Sequence, residues 1–407
     1  MKRKYLKVIV TRAIMILVVA HSMQGNTQIS SSGPPRLASI SEIRTGAEQT
    51  QLYFPQLSGK VIGVICNQAS LVGNINLVDT LISAGFKVKV IFSPEHGFRG
   101  DADAGADIND GRDKKTGIKI VSLYGKKNKP EPFDLKGIDI LLFDIQDVGV
   151  RYYTYISTLA LVMEVASDQG IPVIVLDRPN PNGFYVDGPV LDTAFRSFVG
   201  MYPVPIVYGM TIGEYAMMIN GEGWIGATKC RLTVIPMKSY THSMIIRLPA
   251  RPSPNLPNWQ SVYLYPSLCL FEGTFISVGR GTEFPFQVIG HPHYVIGSYI
   301  FKPESIPGVS AHPPYEGQNC LGSNLDSFAE HYSRNGHAFS LEWMIRMHEF
   351  FKDSTNFFTP YFDKLAGTDQ LRKDIINRKT ETEIRKSWEK DLNAFRQIRK
   401  KYLIYPD

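Results

Sequence analysis

An acid and an imidazole stand side by side in Ser93-Pro94-Glu95-His96-Gly97-Phe98-Arg99-Gly100, just where the apolar run Val88, Val90, Ile91, Phe92 stops. In open sheets with helical crossovers the ligand crevice lies beyond the carboxyl ends of the strands, so the first loop residues face substrate rather than core. Glu95 at such a place can give or take a proton, with His96 or Arg99 to tune it. Three more apolar runs end the same way. Lys60–Cys66 delivers Asn67 and Gln68; Ile138–Phe143 delivers Asp144, Gln146 and Asp147 with Arg151; Ile171–Leu176 delivers Arg178, Asn180 and Asn182. The preceding strands are nearly pure Val, Ile and Leu, and polarity begins only at their ends, which points to a polar crevice. Tyr153, in Arg151-Tyr152-Tyr153-Thr154-Tyr155, adds an aromatic face suited to the C–H side of a sugar ring; packing at a helix start is the other reading. Further along, Asn255 lies in Arg251-Pro-Ser-Pro-Asn-Leu-Pro257, and Glu272 and Arg280 lie among glycines that let backbone approach a ligand.

Positioning these ends requires strands alternating with helices, and the spacing predicts them. Strands over 60–66, 87–92, 118–123, 138–143 and 171–176 alternate with helical faces such as Leu77, Leu81, Ala84 and the helix Tyr155–Gln169. That pattern implies an α/β protein with a parallel sheet covered on both faces. Helices near 211–220 and 340–352, a strand near 231–237 and a long C-terminal helix are assigned to a second, more mixed half. The C-terminal helix carries the stripe Ile384, Trp388, Leu392, Phe395, Ile398, Tyr402 at helical spacing.

Lys2, Arg3, Lys4 and Lys7 precede the apolar run Ala13–Ala20, and small or polar residues follow. Residues 1–25 therefore read as a secretory signal peptide, with an uncleaved anchor starting at Val8 as the other reading. Residues 26–50, rich in Ser, Gly, Gln and Pro, read as a flexible leader. Residues 51–240 and 241–407 are the two expected domains.

The 43% hydrophobic content and 11% aromatics exclude a disordered chain. The signal segment carries five cations and no acid, so its removal takes the formal charge from +6 to +1. No compositional support remains for nucleic-acid binding. Cys66, Cys230, Cys269 and Cys320 lie far apart, without zinc or redox spacing; pairing and free thiols both stay open. Gly221-Glu-Gly223-Trp-Ile-Gly226 spells a dinucleotide fingerprint but follows a helix rather than a strand. The Asp101–Gly117 loop lacks the register of a calcium loop and reads as a flap beside Glu95, and His291-Pro-His293 reads as a Pro-locked turn. Neither metal nor cofactor is expected.

Six ordered motifs, SPEHGFRG, FDIQDVGVRYYTY, VLDRPNPNG, GMTIGEYA, RPSPNLP and EGTFISVGRGTEFPF, span residues 60 to about 295. In these the chain resembles the bacterial exo-β-N-acetylmuramidases, peptidoglycan glycosidases first catalogued as a domain of unknown function. The resemblance implies a Rossmann-like N-terminal domain, a smaller C-terminal α/β domain, a cleft between them, and release of N-acetylmuramic acid from non-reducing ends of cell-wall fragments. Tyr208 stands where many members have His and Phe275 where Asn is usual, departures that bear on substrate preference. Glycoside hydrolysis normally uses two carboxyl groups flanking the bond. Glu95 is the first choice and Glu272 the second, with Asp147 and Asp144 as rivals; in substrate-assisted catalysis one of these aspartates would orient the 2-acetamido group. His96, Gln146, Arg151, Tyr153, Arg178, Asn180, Asn182, Asn255 and Arg280 are the expected substrate contacts, with Arg151, Arg178 or Arg280 reading the lactyl carboxylate. The expected partners are peptidoglycan-derived saccharides in a secreted or periplasmic setting, with no stable membrane insertion after signal cleavage. The alternative is a secreted cell-wall sugar-binding protein without turnover. On oligomeric state the sequence is silent.

Overall fold

The computed structural model describes residues 36–38, 42–95, 97–98, 110–125, 127–335 and 339–407. The expected signal segment, His96, Arg99 and residues 101–109 of the expected flap lie outside the described residues. Val61–Cys66 (β1), Lys87–Ser93 (β2), Gly111–Arg112 (β3), Lys119–Ser122 (β4), Ile140–Asp144 (β5), Val173–Leu176 (β6) and Leu232–Ile235 (β7) make one sheet. Its order is β7-β6-β5-β1-β2-β4-β3, parallel throughout except for the short edge strand β3. The strands are apolar on both faces because helices cover both. Successive side chains of a strand point to opposite faces. Ile62, Val64 and Cys66 accordingly pack with Tyr53 and Leu57 of Thr50–Leu57 (α1) and with Leu77, Val78 and Leu81 of Leu77–Ser83 (α2). Ile65, Phe143 and Val175 pack on the other face, against Tyr155–Asp168 (α3) and Ile212–Gly221 (α4).

The second half opens with Trp259–Leu268 (α5), which tightens into the 3-10 turn Cys269–Gly273. Val288–His291 (β8), Tyr299–Phe301 (β9) and Cys320–Asn324 (β10) form a small antiparallel sheet ordered β8-β10-β9. Asp326–Asn335 (α6), Glu342–Phe350 (α7), Pro360–Ala366 (α8), Gln370–Ile376 (α9) and Glu381–Lys400 (α10) complete it. The α/β class is as expected: a mostly parallel sheet followed by a mixed α/β half. One hydrophobic core runs through both, from Phe143 and Leu159 to Leu268, Phe362 and Trp388.

Four segments depart from expectation. The helix near 211–220 and the strand near 231–237 are not part of the mixed half: the helix covers the main sheet as α4, and the strand extends that sheet as β7, pairing Leu232–Ile235 with Val173–Leu176. Residues 42–50, grouped by composition with the leader, are folded: Gly46 N–H donates to the Asp177 carbonyl at 2.9 Å and Ala47 is fully buried. Residues 111–117 of the expected flap are the edge strand β3 and a tight turn closed by Asp113, which accepts Thr116 N–H and Thr116 Oγ1–H. The C-terminal helix buries Ile384, Trp388, Leu392 and Phe395 as its periodicity predicts. It also crosses back to the first half, where Arg385 pairs with Asp187 at 2.6 Å and Arg399 donates to the Gly209 carbonyl. All four cysteines are buried free thiols.

Candidate active site

The chain leaves β1, builds outward through β2 and β4, then returns to the opposite side of β1 as β5. The switch point of the sheet therefore lies between β1 and β5, the place where sheets of this kind bind their ligands. Glu95 stands two residues past the end of β2 and is half-buried. Thr154 Oγ1, at the start of α3, donates to Glu95 Oε2 at 3.2 Å. Tyr124 follows β4, and burial together with the nearby Glu95 charge pushes its phenol well above the usual range. Glu272, on the 3-10 turn after α5, accepts Arg280 Nε–H at 2.5 Å and Cys269 Sγ–H at 3.5 Å. Arg280 also lies over the Phe286 ring, 5.0 Å from its centroid.

The two acids share a surrounding. Tyr124 feels Glu95, Arg280 and Glu272 together, and Tyr361, on the first turn of α8, feels Cys269, Glu272, Tyr124 and Glu95. Tyr361 reaches this place because α8 is clamped to the 3-10 turn: Thr359 N–H donates to the Gly273 carbonyl, and any side chain at 273 would strike the Phe362 backbone. Glu95 from the first half and Glu272 with Arg280 from the second thus lie about the same two tyrosines, Tyr124 and Tyr361. Tyr153 sits edge-on between Tyr155 and Tyr265, at 4.7 and 5.8 Å, and also feels Glu95.

Most of the other expected contacts are turned inward. Asp144 is wholly buried and takes a two-toothed ion pair from Arg178 Nε and Nη2, at 2.5 and 2.8 Å, while Nη2 also donates to the Leu71 carbonyl. Gln146 donates to the Asp147 and Pro179 carbonyls, Asn180 to Met210 and Asn182 to Val148, all within 2.9 Å. A side chain on Gly149, held at φ +75°, would collide with Asn180, so that amide is packed into the turn. Arg151 is the largest correction. Fully buried, it gives its terminal nitrogens to the carbonyls of Pro189, Val204, Leu365 and Ala366, thereby capping the C-terminal end of α8. Asn255 is buried too and donates to the Val309 carbonyl at 2.8 Å. These side chains satisfy backbone carbonyls that irregular loops cannot pair among themselves.

Asp147 is intermediate between the two groups. One oxygen accepts from the Tyr208 hydroxyl and from Gly149 N–H; the other is buried without a hydrogen-bond partner. Burial pushes its carboxyl up to about 6 against the pull of those two donors. Tyr208, a departure from the family pattern, is thus the residue that holds Asp147. Phe275, the other departure, packs among His291, Phe351 and Phe357. His291 and His293 form a turn, His293 N–H donating to His291 Nδ1 at 3.0 Å.

Sequence reasoning does not single out Tyr124, Thr154 or Tyr361. Tyr124 leaves a strand end as Glu95 does, a signal present but unused, whereas nothing local marks Tyr361.

Comparison with known proteins accords with this geometry. Residues 62–260 match the family model described as the N-terminal part of the exo-β-N-acetylmuramidase NamZ, and residues 263–405 match its C-terminal part. The chain is 40% identical to the peptidoglycan β-N-acetylmuramidase NamZ of Bacillus subtilis strain 168, over 97% of this chain and all of that one. Crystal structures of two DUF1343 family proteins from Bacteroides fragilis share the fold. One superposes with a TM-score of 0.82 at 45% identity, covering 90% of this chain and 99% of the other; the second does so with 0.76 at 28%, covering 89% and 99%. With both family models matched in order and the relatives covered end to end, the chain belongs to the exo-β-N-acetylmuramidase family and is a glycosidase.

Proposed function

We propose that this protein releases N-acetylmuramic acid from the non-reducing ends of peptidoglycan fragments, with Glu95 and Glu272 as its two catalytic carboxyl groups. The observation that carries the assignment is their common surrounding: one acid from each half, both acting on the hydroxyls of Tyr124 and Tyr361. Two carboxyl groups flanking a bond are what glycoside hydrolysis requires, one giving a proton to the leaving oxygen and the other acting as nucleophile or base. Asp144 is spent on Arg178, which leaves Asp147 as the rival with an unpaired oxygen. Release of free N-acetylmuramic acid from a defined disaccharide tests the pair. Glu95→Gln and Glu272→Gln should each abolish it nearly completely, and near-normal turnover by either folded variant removes that residue from the scheme.

Of the three arginines considered for the lactyl carboxylate, we favour Arg280. Arg151 gives both terminal nitrogens to carbonyls and Arg178 is tied by Nε and Nη2 to Asp144 and the Leu71 carbonyl, while Arg280 uses only Nε, on the candidate acid Glu272, and its Nη1 has no hydrogen-bond partner. A guanidinium fork suits a carboxylate. Arg280→Met should weaken a muramic substrate at least about tenfold while sparing an analogue without the lactyl acid; equal losses on both would reject the role.

The basic and apolar start of the chain supports export to the periplasm or beyond, and among the described residues no helix is long and apolar enough to cross a membrane. Fractionation of expressing cells, with and without residues 1–25, checks this; activity confined to the cytoplasm for the full chain would contradict it.

A further inference from the structure

Thr154 holds the N-cap position of α3, where a threonine hydroxyl ordinarily accepts an N–H from the first helical turn. Here it makes no capping bond. Its carbonyl takes the N–H groups of Ser157 and Thr158, both at 3.0 Å, and its hydroxyl is turned outward to donate to Glu95 Oε2 at 3.2 Å. A second hydroxyl comes from the neighbouring strand. Ser93 of β2 and Ser122 of β4 are register partners, so Glu95 and Tyr124, each two residues further on, leave the sheet edge side by side. The Tyr124 loop is fixed there on three counts: Leu123 N–H donates to the Ser93 carbonyl at 2.8 Å, Ser122 Oγ closes a local turn on Tyr124, and the Tyr124 ring lies 6.2 Å from that of Phe198.

We infer that Thr154 and Tyr124 form a hydroxyl clamp that aims the Glu95 carboxyl group. Both are positioning residues rather than catalytic ones. The terminal torsion of a glutamate is broad, and Glu95 sits on a loop, so the direction of its oxygens must come from neighbours. Two hydroxyls from different elements, one at a helix start and one at a strand end, set that direction. Misplacement of a reacting group by about 1 Å can cost about 10²-fold in rate, which makes such a clamp consequential. The inference rests on the reading of Glu95 as a catalytic carboxyl.

The test compares Thr154→Val, Thr154→Ser and Tyr124→Phe with the wild type on a disaccharide of N-acetylmuramic acid and N-acetylglucosamine. Valine keeps the shape of threonine and phenylalanine keeps the ring against Phe198, so both variants lose only the hydroxyl. Each should lower kcat about 10- to 100-fold with KM within about twofold, and Thr154→Ser should retain most of the activity. Wild-type kcat in both variants overturns the clamp, as does a loss confined to KM. A Thr154→Val protein that melts earlier yet turns over normally would make the threonine a cap. Glu95→Gln separates the two levels: if it stays active, the reading of Glu95 falls, whereas a dead Glu95→Gln beside normal clamp variants sinks the clamp alone.

Discussion

Two acid clusters lie beyond the carboxyl ends of the same sheet, and they differ in how completely their oxygens are occupied. Asp177, after β6, accepts from Arg178 N–H, Gly213 N–H, Thr211 Oγ1 and Tyr405 Oη. Glu214, on α4, accepts from the N–H groups of Thr211, Ile404 and Tyr405 and meets His242 Nε2 at 2.8 Å. Both acids are wholly buried, and each is held by backbone N–H groups, by the C-terminal tail and by one further side chain, Thr211 or His242. Glu95 and Glu272 are half-buried and come from the two halves of the chain, Glu95 held by the Thr154 hydroxyl and Glu272 by Arg280. Saturated carboxylates fasten structure, because nothing can be added to them without breaking a bond. Carboxylates at the rim of a cleft can exchange a partner for substrate.

The contrast is broken most directly by exchanging the two kinds of loss. Glu95→Gln should cut kcat by about 10²–10⁴-fold and leave the denaturant midpoint almost unchanged. Glu214→Gln should do the reverse, destabilising the fold by about 3–5 kcal/mol through an amide N–H₂ set against donors, with normal turnover per folded molecule. Equilibrium unfolding and active-site-normalised rates on both proteins decide it, and a stable Glu214→Gln protein with lost activity would erase the distinction.

Asp147 sharpens the comparison, since it is buried like Asp177 but only partly satisfied. Burial raises its carboxyl from 3.8 to about 6, so its charged form is disfavoured in the folded chain. The cost is present above pH 6 and relieved as pH falls through 6 toward 4, an effect of up to about 3 kcal/mol. Wild-type protein should therefore gain stability between pH 7.5 and pH 5 relative to Asp147→Asn. Parallel pH dependences in the two proteins would show that Asp147 is not the group responsible. The smallest effect belongs to Tyr405→Phe, which removes one of four donors to Asp177 and should cost about 1–2 kcal/mol of stability without touching the rate. A drop in kcat from this change, at full folding, would tie the tail cluster to the active cleft.

Much of the site's address is legible in the chain. The apolar run ending before Pro94 places Glu95 at a strand exit, and the glycines around Glu272 and Arg280 mark a close backbone approach. Legibility fails at Arg151, Arg178, Asn180 and Asn182. Each is polar and follows a buried strand or its loop, as a ligand-binding residue would, yet each is anchored to backbone carbonyls or to Asp144. Composition registers that a loop is polar; it does not register how many carbonyls the loop must satisfy once it folds back over the sheet.

By itself the sequence determined the α/β alternation, the helical stripe from Ile384 to Phe395 and the place of Glu95 at the end of β2, because these follow from local periodicity and from where apolar runs stop. Tertiary structure alone decided the partners. Thr154 and Tyr124 meet Glu95 across 59 and 29 positions, Tyr361 comes to the same carboxylates on a helix held by Arg151, and Tyr405 closes over Asp177 from the far end of the chain. Contacts at such separations arise when two halves bury one common core. The side chains that meet there share no local pattern from which the meeting could be read.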